Sequence, residues 1–176
     1  MDGLGTVKLI DRNKTLAASA EIPMDRLAAK FSIRISVEDS YMDGNQVMWI
    51  PDVDNLSVQM NKAASNTTIG ATYGNNLFDF NQRKSTETQT VQVDEGSRVF
   101  RLFAPFYSYP RQWDYKSEDA VSFYIMLPWK SEQGNTYQNC YYKVYPNTMQ
   151  LERNNWYNVD LNIGILGSFN EKEEPI

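Results

Sequence analysis

The sequence alternates between short apolar segments and turn-forming residues along most of its 176 residues. In KFSIRISV, the apolar side chains of Phe31, Ile33, Ile35 and Val37 alternate with polar ones. This is the two-residue period of a β-strand that has one buried and one solvated face. No segment has a sustained helical period of 3.6 residues, apart from 24–30, which fits either a short helix or a strand. The pattern therefore predicts a protein built almost wholly from strands.

Further segments have the same strand character, and turn formers such as DGN, EQGN and PNT separate them. The segments are 47–50, 55–60, 90–95, 98–103, 121–127, 140–145 and 156–166. Strands at such short intervals favour antiparallel pairing in two packed sheets. We therefore expect an all-β fold, an antiparallel two-sheet β-sandwich. We expect its core to include Phe31, Ile33, Ile35, Val159, Leu161 and either Trp156 or Tyr157.

Length and charge limit the domain count and the partners. A chain of 176 residues suits one domain that buries roughly 70% of its unfolded surface. Neither a Pro/Ser-rich linker nor an internal repeat divides it, so we predict a single domain over 1–176. The net charge is −5 and the basic residues do not cluster, which argues against a nucleic-acid partner. With no run of 18 apolar residues, we expect no membrane span.

The chemistry-bearing residues are few. The chain has no His, which excludes Ser-His-Asp and Cys-His catalysis and the usual catalytic zinc sites. We predict that it is not an enzyme and that it uses no cofactor or metal. Cys140 lies in a strand-like run and is interpreted as a buried small hydrophobe. GLGTV near the start and PDVDN at 51–55 are interpreted as turns, since each lacks the rest of a dinucleotide or calcium loop.

Two other groups of residues are candidates for a site. Asp114 and Glu118 are the best carboxylate pair for a glycosidase, although solvated loop residues are the simpler interpretation. The loop FYSYPRQWDY is rich in aromatic residues, which form either a platform for stacking sugar rings or a cover over the core. The rings concerned are Tyr107, Tyr109, Trp113 and Tyr115.

The segment WYNVDLNIGIL is the candidate for strand pairing. Its polar residues Asn158, Asp160 and Asn162 share one face with Gly164, where a bulge or a close backbone approach is allowed. Its other face either packs into the core of the domain, as in an internal core strand, or contacts another subunit directly. That face comprises Tyr157, Val159, Leu161, Ile163 and Ile165.

Four segments together resemble the fimbrillin family, the subunits of the type V pili of Bacteroidales. They are EIPMDRLAAKFSIRI, FYSYPRQWD, FYIMLPWK and YYKVYPNTMQLERNNWYNVDLNIGILGS. The resemblance covers most of 21–168, and its last motif is the most specific. That motif retains Arg153, Asn154, Trp156, Tyr157, Gly164, Leu166, Gly167 and Ser168 at the expected spacings.

The resemblance implies a transthyretin-like Greek-key β-sandwich that is similar to the C-terminal fimbrillin domain. Members of the family are exported as lipoprotein precursors and polymerise by donor-strand exchange. In this comparison 1–20 is a lead-in strand region and 169–176 an acidic tail, and the family's terminal donor strands and first domain are absent. The chain is then a fragment, or a short relative such as a capping or anchoring component. Neither Arg12 nor Arg26 matches a processing site of the family.

These expectations leave two functions open. The first is a non-catalytic structural subunit of a surface fimbrium at the cell outer membrane, as shaft, tip or anchor, that supports cell adhesion. Its partners would be other fimbrial subunits through strand exchange, and a host protein or glycan. The alternative is a surface carbohydrate-binding β-sandwich module that uses the aromatic loop. A platform requires coplanar exposed rings, whereas a fimbrial domain requires an open edge.

Overall fold

The computed structural model describes residues 3–10, 16–24, 27–66, 75–82, 87–94, 97–133 and 136–170. The described part contains no α-helix, and its only helical element is a short 3₁₀ turn, Val53–Asn55. The prediction of an all-β fold is therefore confirmed. The strands in chain order are β1 Gly3–Ile10, β2 Leu16–Met24, β3 Ala29–Glu38, β4 Tyr41–Met42, β5 Met48–Pro51, β6 Ser57–Asn66, β7 Asn75–Gln82, β8 Glu87–Asp94, β9 Ser97–Ser108, β10 Arg111–Gln112, β11 Ser122–Ser131, β12 Tyr137–Val144, β13 Gln150–Leu151 and β14 Trp156–Ile163.

Two larger sheets organise the molecule, and two smaller two-stranded sheets, β1–β2 and β10–β13, accompany them. The first has the order β14-β3-β9-β8. The second has β11 at its centre, with β12 along one edge. On the other edge of β11, β6 pairs with 122–126 and β5 with 129–131, so these two strands lie end to end. Multiple antiparallel sheets of this kind are consistent with a β-sandwich.

One pairing differs from the antiparallel prediction, because β14 runs parallel to β3. The two strands begin at the same end of the sheet, where the turn before β14 is hydrogen-bonded to the start of β3. The N–H of Lys30 donates to the Asn155 carbonyl at 2.9 Å, and the N–H of Asn154 donates to the Ala28 carbonyl at 3.2 Å. Since β14 follows β12 and β13 rather than a tight hairpin, nothing in its connection requires an antiparallel neighbour.

The core lies between the two larger sheets. The apolar side chains of β3 are fully buried, as their alternation predicts. The Phe31 ring contacts the Phe123 ring of β11 edge to face, with centroids 5.2 Å apart, and Phe106 of β9 lies 5.8 Å from Phe123. Burying each such side chain stabilises the fold by about 1.5–3 kcal/mol. Of the other predicted core residues, Tyr157, Val159 and Leu161 pack against this cluster while half-buried, and Trp156 is 64% exposed.

Some local predictions change. Met24 ends β2 and Ala29 begins β3, so the helical alternative for 24–30 finds no support among the residues described there. The turn interpretation of GLGTV is wrong, because Gly3 and Gly5 pair with Met24 and Ile22 in an extended hairpin. The turn interpretation of PDVDN is confirmed by the 3₁₀ turn at 53–55. Residues 1–2, 11–15 and 171–176 lie outside the described residues, as do Arg12 and Arg26.

A buried arginine fastens the loop after β9. The guanidinium of Arg111 donates to the backbone carbonyl of Lys62 in β6 and, at 2.5 Å, to that of Asp119 before β11. Among the residues that the structure describes, its Nε atom has no hydrogen-bond partner. Burial lowers the pKa of Arg111 from its usual value, and the Asp119 carboxylate partly opposes this effect. Arg111 thus joins β6, β10 and the start of β11.

Candidate functional site

The predicted strand-pairing segment forms an edge strand. Its register places Tyr157, Val159 and Leu161 beside Phe31, Ile33 and Ile35 of β3. The three β3 side chains are fully buried, whereas the three on β14 are only half-buried. Among the strands that the structure describes, β14 pairs with β3 alone. Within the described residues, one backbone edge of β14 therefore has no partner strand, and the apolar face beside it is incompletely covered.

The five residues predicted to share one face do not all do so. Ile163 closes the strand and is buried, and the Tyr157 ring lies 5.3 Å from Phe31. Ile165 follows the end of the strand and is 62% exposed. The strand ends at Ile163 rather than 166 because the chain leaves the sheet at Gly164. Four of the five side chains thus point towards the core.

The segment 164–168 crosses from β14 to the outer edge of β12. The N–H of Tyr141 donates to the Ser168 carbonyl at 2.8 Å, and the N–H of Ser168 donates back at 3.0 Å. The Tyr142 hydroxyl donates to the Ile165 carbonyl at 2.7 Å and accepts from the Trp129 indole N–H at 3.1 Å. Burial raises the pKa of Tyr142 above its ordinary value. The crossing segment is thereby fixed against β12.

Gly167 is the residue that makes this crossing possible. A Cβ atom at this position would lie 2.6 Å from the Tyr141 carbonyl oxygen and 2.8 Å from the Tyr142 ring. Real Cβ atoms do not approach backbone oxygen so closely. The glycine that ends the apolar alternation in the sequence is therefore required by close packing against β12.

The four rings of the predicted aromatic platform lie in different surroundings. Trp113 is only 7% exposed and belongs to the core. Tyr115 is exposed and lies 6.2 Å from Tyr145. Tyr107 and Tyr109 line a separate cavity that neither Trp113 nor Tyr115 lines. The structure therefore does not assemble the four rings into one surface, and the interpretation of the loop as a cover holds for Trp113.

The cavity beside Tyr107 and Tyr109 combines aromatic, amide and cationic groups. It has a volume of about 900 Å³. The Lys30 ammonium lies 4.2 Å from the centroid of the exposed Trp156 ring, whose indole N–H donates to the Ser32 hydroxyl at 2.9 Å. Sequence reasoning missed this cavity because its residues are far apart in the chain. It is lined by Leu27, Ala28, Lys30, Tyr107, Tyr109, Asn154, Asn155 and Trp156.

The proposed carboxylate pair is not brought into one cavity. Glu118 lines a smaller depression of about 270 Å³, and Asp114 does not. Both residues are exposed, and the Asp114 carbonyl accepts the N–H of Ser117 in a turn. Their placement fits the simpler interpretation as solvated loop residues.

Cys140 is fully buried in β12, which confirms its interpretation as a small hydrophobe. Burial raises the pKa of its thiol, and a hydrogen bond from the Gly167 backbone partly offsets the rise. In the oxygen-rich segment 52–55, the polar side chains form a hydrogen bond with each other: the Asn55 amide donates to the Asp52 carboxylate at 2.7 Å. Within the described ranges, no three His, Cys, Asp or Glu side chains gather in a group that could hold a metal ion.

No protein-family model matches this chain, and no curated protein matches it. The resemblance to fimbrillins therefore rests on the motif residues themselves. In the described part of the chain, no helix has the length and apolar character needed to cross a bilayer.

Proposed function

We propose that this chain is a non-catalytic structural subunit of a surface fimbrium, with a transthyretin-like Greek-key β-sandwich, and that it assembles with neighbouring subunits by β-strand complementation. The proposal includes export to the cell surface at the outer membrane and a role in adhesion. The observation that carries it is the edge strand β14, which has one pairing partner among the described strands and a half-buried apolar face.

An open edge and an incompletely covered apolar stripe are what an incoming strand requires. The backbone groups along the edge supply hydrogen bonds, and alternate side chains of the added strand fill the space beside the stripe. In the same rows of the sheet, Phe31, Ile33 and Ile35 of β3 are buried because β3 has neighbours on both sides. A strand added beside β14 would bury its apolar side chains to the same degree.

The sequence of β14 also supports strand addition. Natural sheets protect free edges with Lys, Pro, bulges or very short strands. WYNVDLNI has eight residues without Lys or Pro, and its register with β3 is regular throughout. An edge of this length without such protection favours pairing with another chain.

The proposal is tested by photo-crosslinking on the surface of cells that make the protein. A photo-reactive residue replaces Asn158, which is exposed on β14, and the matched control carries it at Asn45, which is exposed in the 43–47 turn. We expect surface fibres that contain this chain, with covalent ladders from position 158 and none from position 45. Fibres without the chain would refute the fimbrial role. Fibres that contain the chain but give no crosslink from position 158 would refute pairing at β14.

A further inference from the structure

Three side chains form a row across the outer face of the four-stranded sheet. Lys30 of β3 is the register partner of Trp156 on one side and of Tyr107 of β9 on the other. Neighbouring strands lie about 4.8 Å apart, so the two rings flank the lysine across roughly 10 Å. Phe31, which follows Lys30 in β3, is buried in the core, and so is Phe106, which precedes Tyr107 in β9. The row therefore faces away from the core, and Trp156 is 64% and Tyr107 49% exposed.

Trp156 is exposed but held in place. Its indole N–H donates to the Ser32 hydroxyl at 2.9 Å, and the Lys30 ammonium lies 4.2 Å from its ring centroid. Cation–π contact and a hydrogen bond together orient a ring that would otherwise be free to rotate. A ring fixed before binding loses less conformational entropy when a ligand packs against it.

The described lining of the cavity next to this row presents several neutral polar groups and one charge. Tyr107 and Tyr109 contribute phenol rings, and the turn at Asn154 and Asn155 contributes two amides. Asn154 adopts a φ of 62°, in the left-handed region that asparagine tolerates. The Asn155 amide nitrogen donates to the Glu152 carboxylate at 3.0 Å, which leaves the amide oxygen as an acceptor. Of the lining residues that the structure describes, Lys30 is the only charged one.

We propose that this cavity binds a sugar residue that carries a carboxylate, such as a uronic acid unit of a glycan. The C–H face of a pyranose ring packs against an exposed aromatic ring, and its hydroxyls exchange hydrogen bonds with amide and phenol groups. The Lys30 ammonium pairs with the sugar carboxylate. A phosphate ester is a poorer match for the described lining, in which a single lysine offers no multidentate recognition. The site uses the outer face of the sheet and does not depend on strand pairing at the β14 edge.

The test is an NMR titration of the isolated chain with methyl β-glucuronide and, in parallel, with methyl β-glucoside. A ligand of this size has an expected Kd of about 1 mM. We expect the indole N–H signal of Trp156 to shift with the glucuronide, and the glucoside to bind about fivefold more weakly because it lacks the exposed ion pair. No shift at about 20 mM glucuronide, roughly twenty times the expected Kd, or equal affinity for the two sugars, would overturn the proposal.

Substitutions test whether the glucuronide binds in this cavity. Trp156→Ala should weaken glucuronide binding about tenfold, the upper range for one aromatic contact. Tyr115→Ala removes an equally exposed ring outside the cavity and should leave affinity unchanged. Lys30→Gln should retain binding but lose the preference for glucuronide. If Trp156→Ala does not fold, Tyr107→Ala takes its place, with the loss read from backbone amide shifts. Equal losses in the cavity variant and Tyr115→Ala, or a preference that survives in Lys30→Gln, would contradict the assignment.

Discussion

Replacing Gly167 by alanine should detach the segment that crosses from β14 to β12. The added Cβ would lie 2.6 Å from the Tyr141 carbonyl oxygen, which already accepts the Ser168 N–H. That oxygen belongs to the backbone of β12, which is paired with β11 along its length. It cannot move as a side-chain end can, so the crossing segment must shift instead.

Two estimates of the cost agree. Forcing an extra methyl group into a packed site costs about 1–3 kcal/mol. If the segment lifts away, it loses the two Tyr141–Ser168 hydrogen bonds and the bond from Tyr142 to the Ile165 carbonyl. At about 1 kcal/mol each, these amount to about 3 kcal/mol. We therefore expect Gly167→Ala to lower the free energy of unfolding by about 2–3 kcal/mol.

The chain offers two matched controls. At Gly44 an added Cβ meets nothing within 4 Å, so Gly44→Ala should leave stability unchanged or raise it by up to about 1 kcal/mol. At Gly164 the nearest atom is the Glu38 Cγ at 3.3 Å, a side chain that can move, so the loss should stay below about 1 kcal/mol. Urea unfolding measures the three values, and hydrogen exchange of the Tyr141 amide locates the change. A Gly167→Ala variant as stable as Gly44→Ala would refute the reasoning.

Three further predictions concern buried polar groups. Burial raises the pKa of Tyr142, so the folded protein keeps the Tyr142 hydroxyl proton to a higher pH than the unfolded chain does, and the free energy of unfolding should fall as pH rises above about 10. Urea unfolding should show a shallower fall in Tyr142→Phe than in a Tyr115→Phe control. Cys140 is fully buried with a raised pKa, so a thiol reagent should label it slowly in the folded protein and rapidly in urea; rapid labelling of the folded chain would contradict its placement. Arg111→Met leaves the carbonyls of Lys62 and Asp119 without their donor and should cost about 2–4 kcal/mol in thermal unfolding; an unchanged Tm would show that these contacts do not stabilise the loop.

Periodicity predicted the strands best where one face is buried and the other solvated. β3 alternates as expected, and its buried side chains form the centre of the core. Periodicity does not determine which strand lies beside which, and the parallel pairing of β14 with β3 was therefore missed. β7 was also missed, because NNLFDFNQ contains residues that disfavour strands and its pairing with β6 depends on tertiary context.

The candidate site was predicted in part. Strand alternation correctly placed Tyr157, Val159 and Leu161 on one face of β14, and the same parity places Trp156 on the opposite, exposed face. The aromatic loop was a weaker guide, because sequence does not distinguish a ring such as Trp113 that closes the core from one such as Tyr107 that faces solvent. The cavity itself combines residues from three strands, β3, β9 and β14, and from the segments next to them, which only the tertiary fold brings together.

The pairing of β3 with β14 has a consequence for the order of folding. Arg34 and Asp160, which form an ion pair across these two strands, are separated by 126 positions in the chain. Contacts between residues so far apart in the sequence form slowly, whereas a local hairpin such as β11–β12 forms early. During synthesis the side of β3 that receives β14 therefore remains without this partner until β14 has also emerged. In this interval the nascent chain is most prone to aggregation, and a chaperone that binds extended segments would act here.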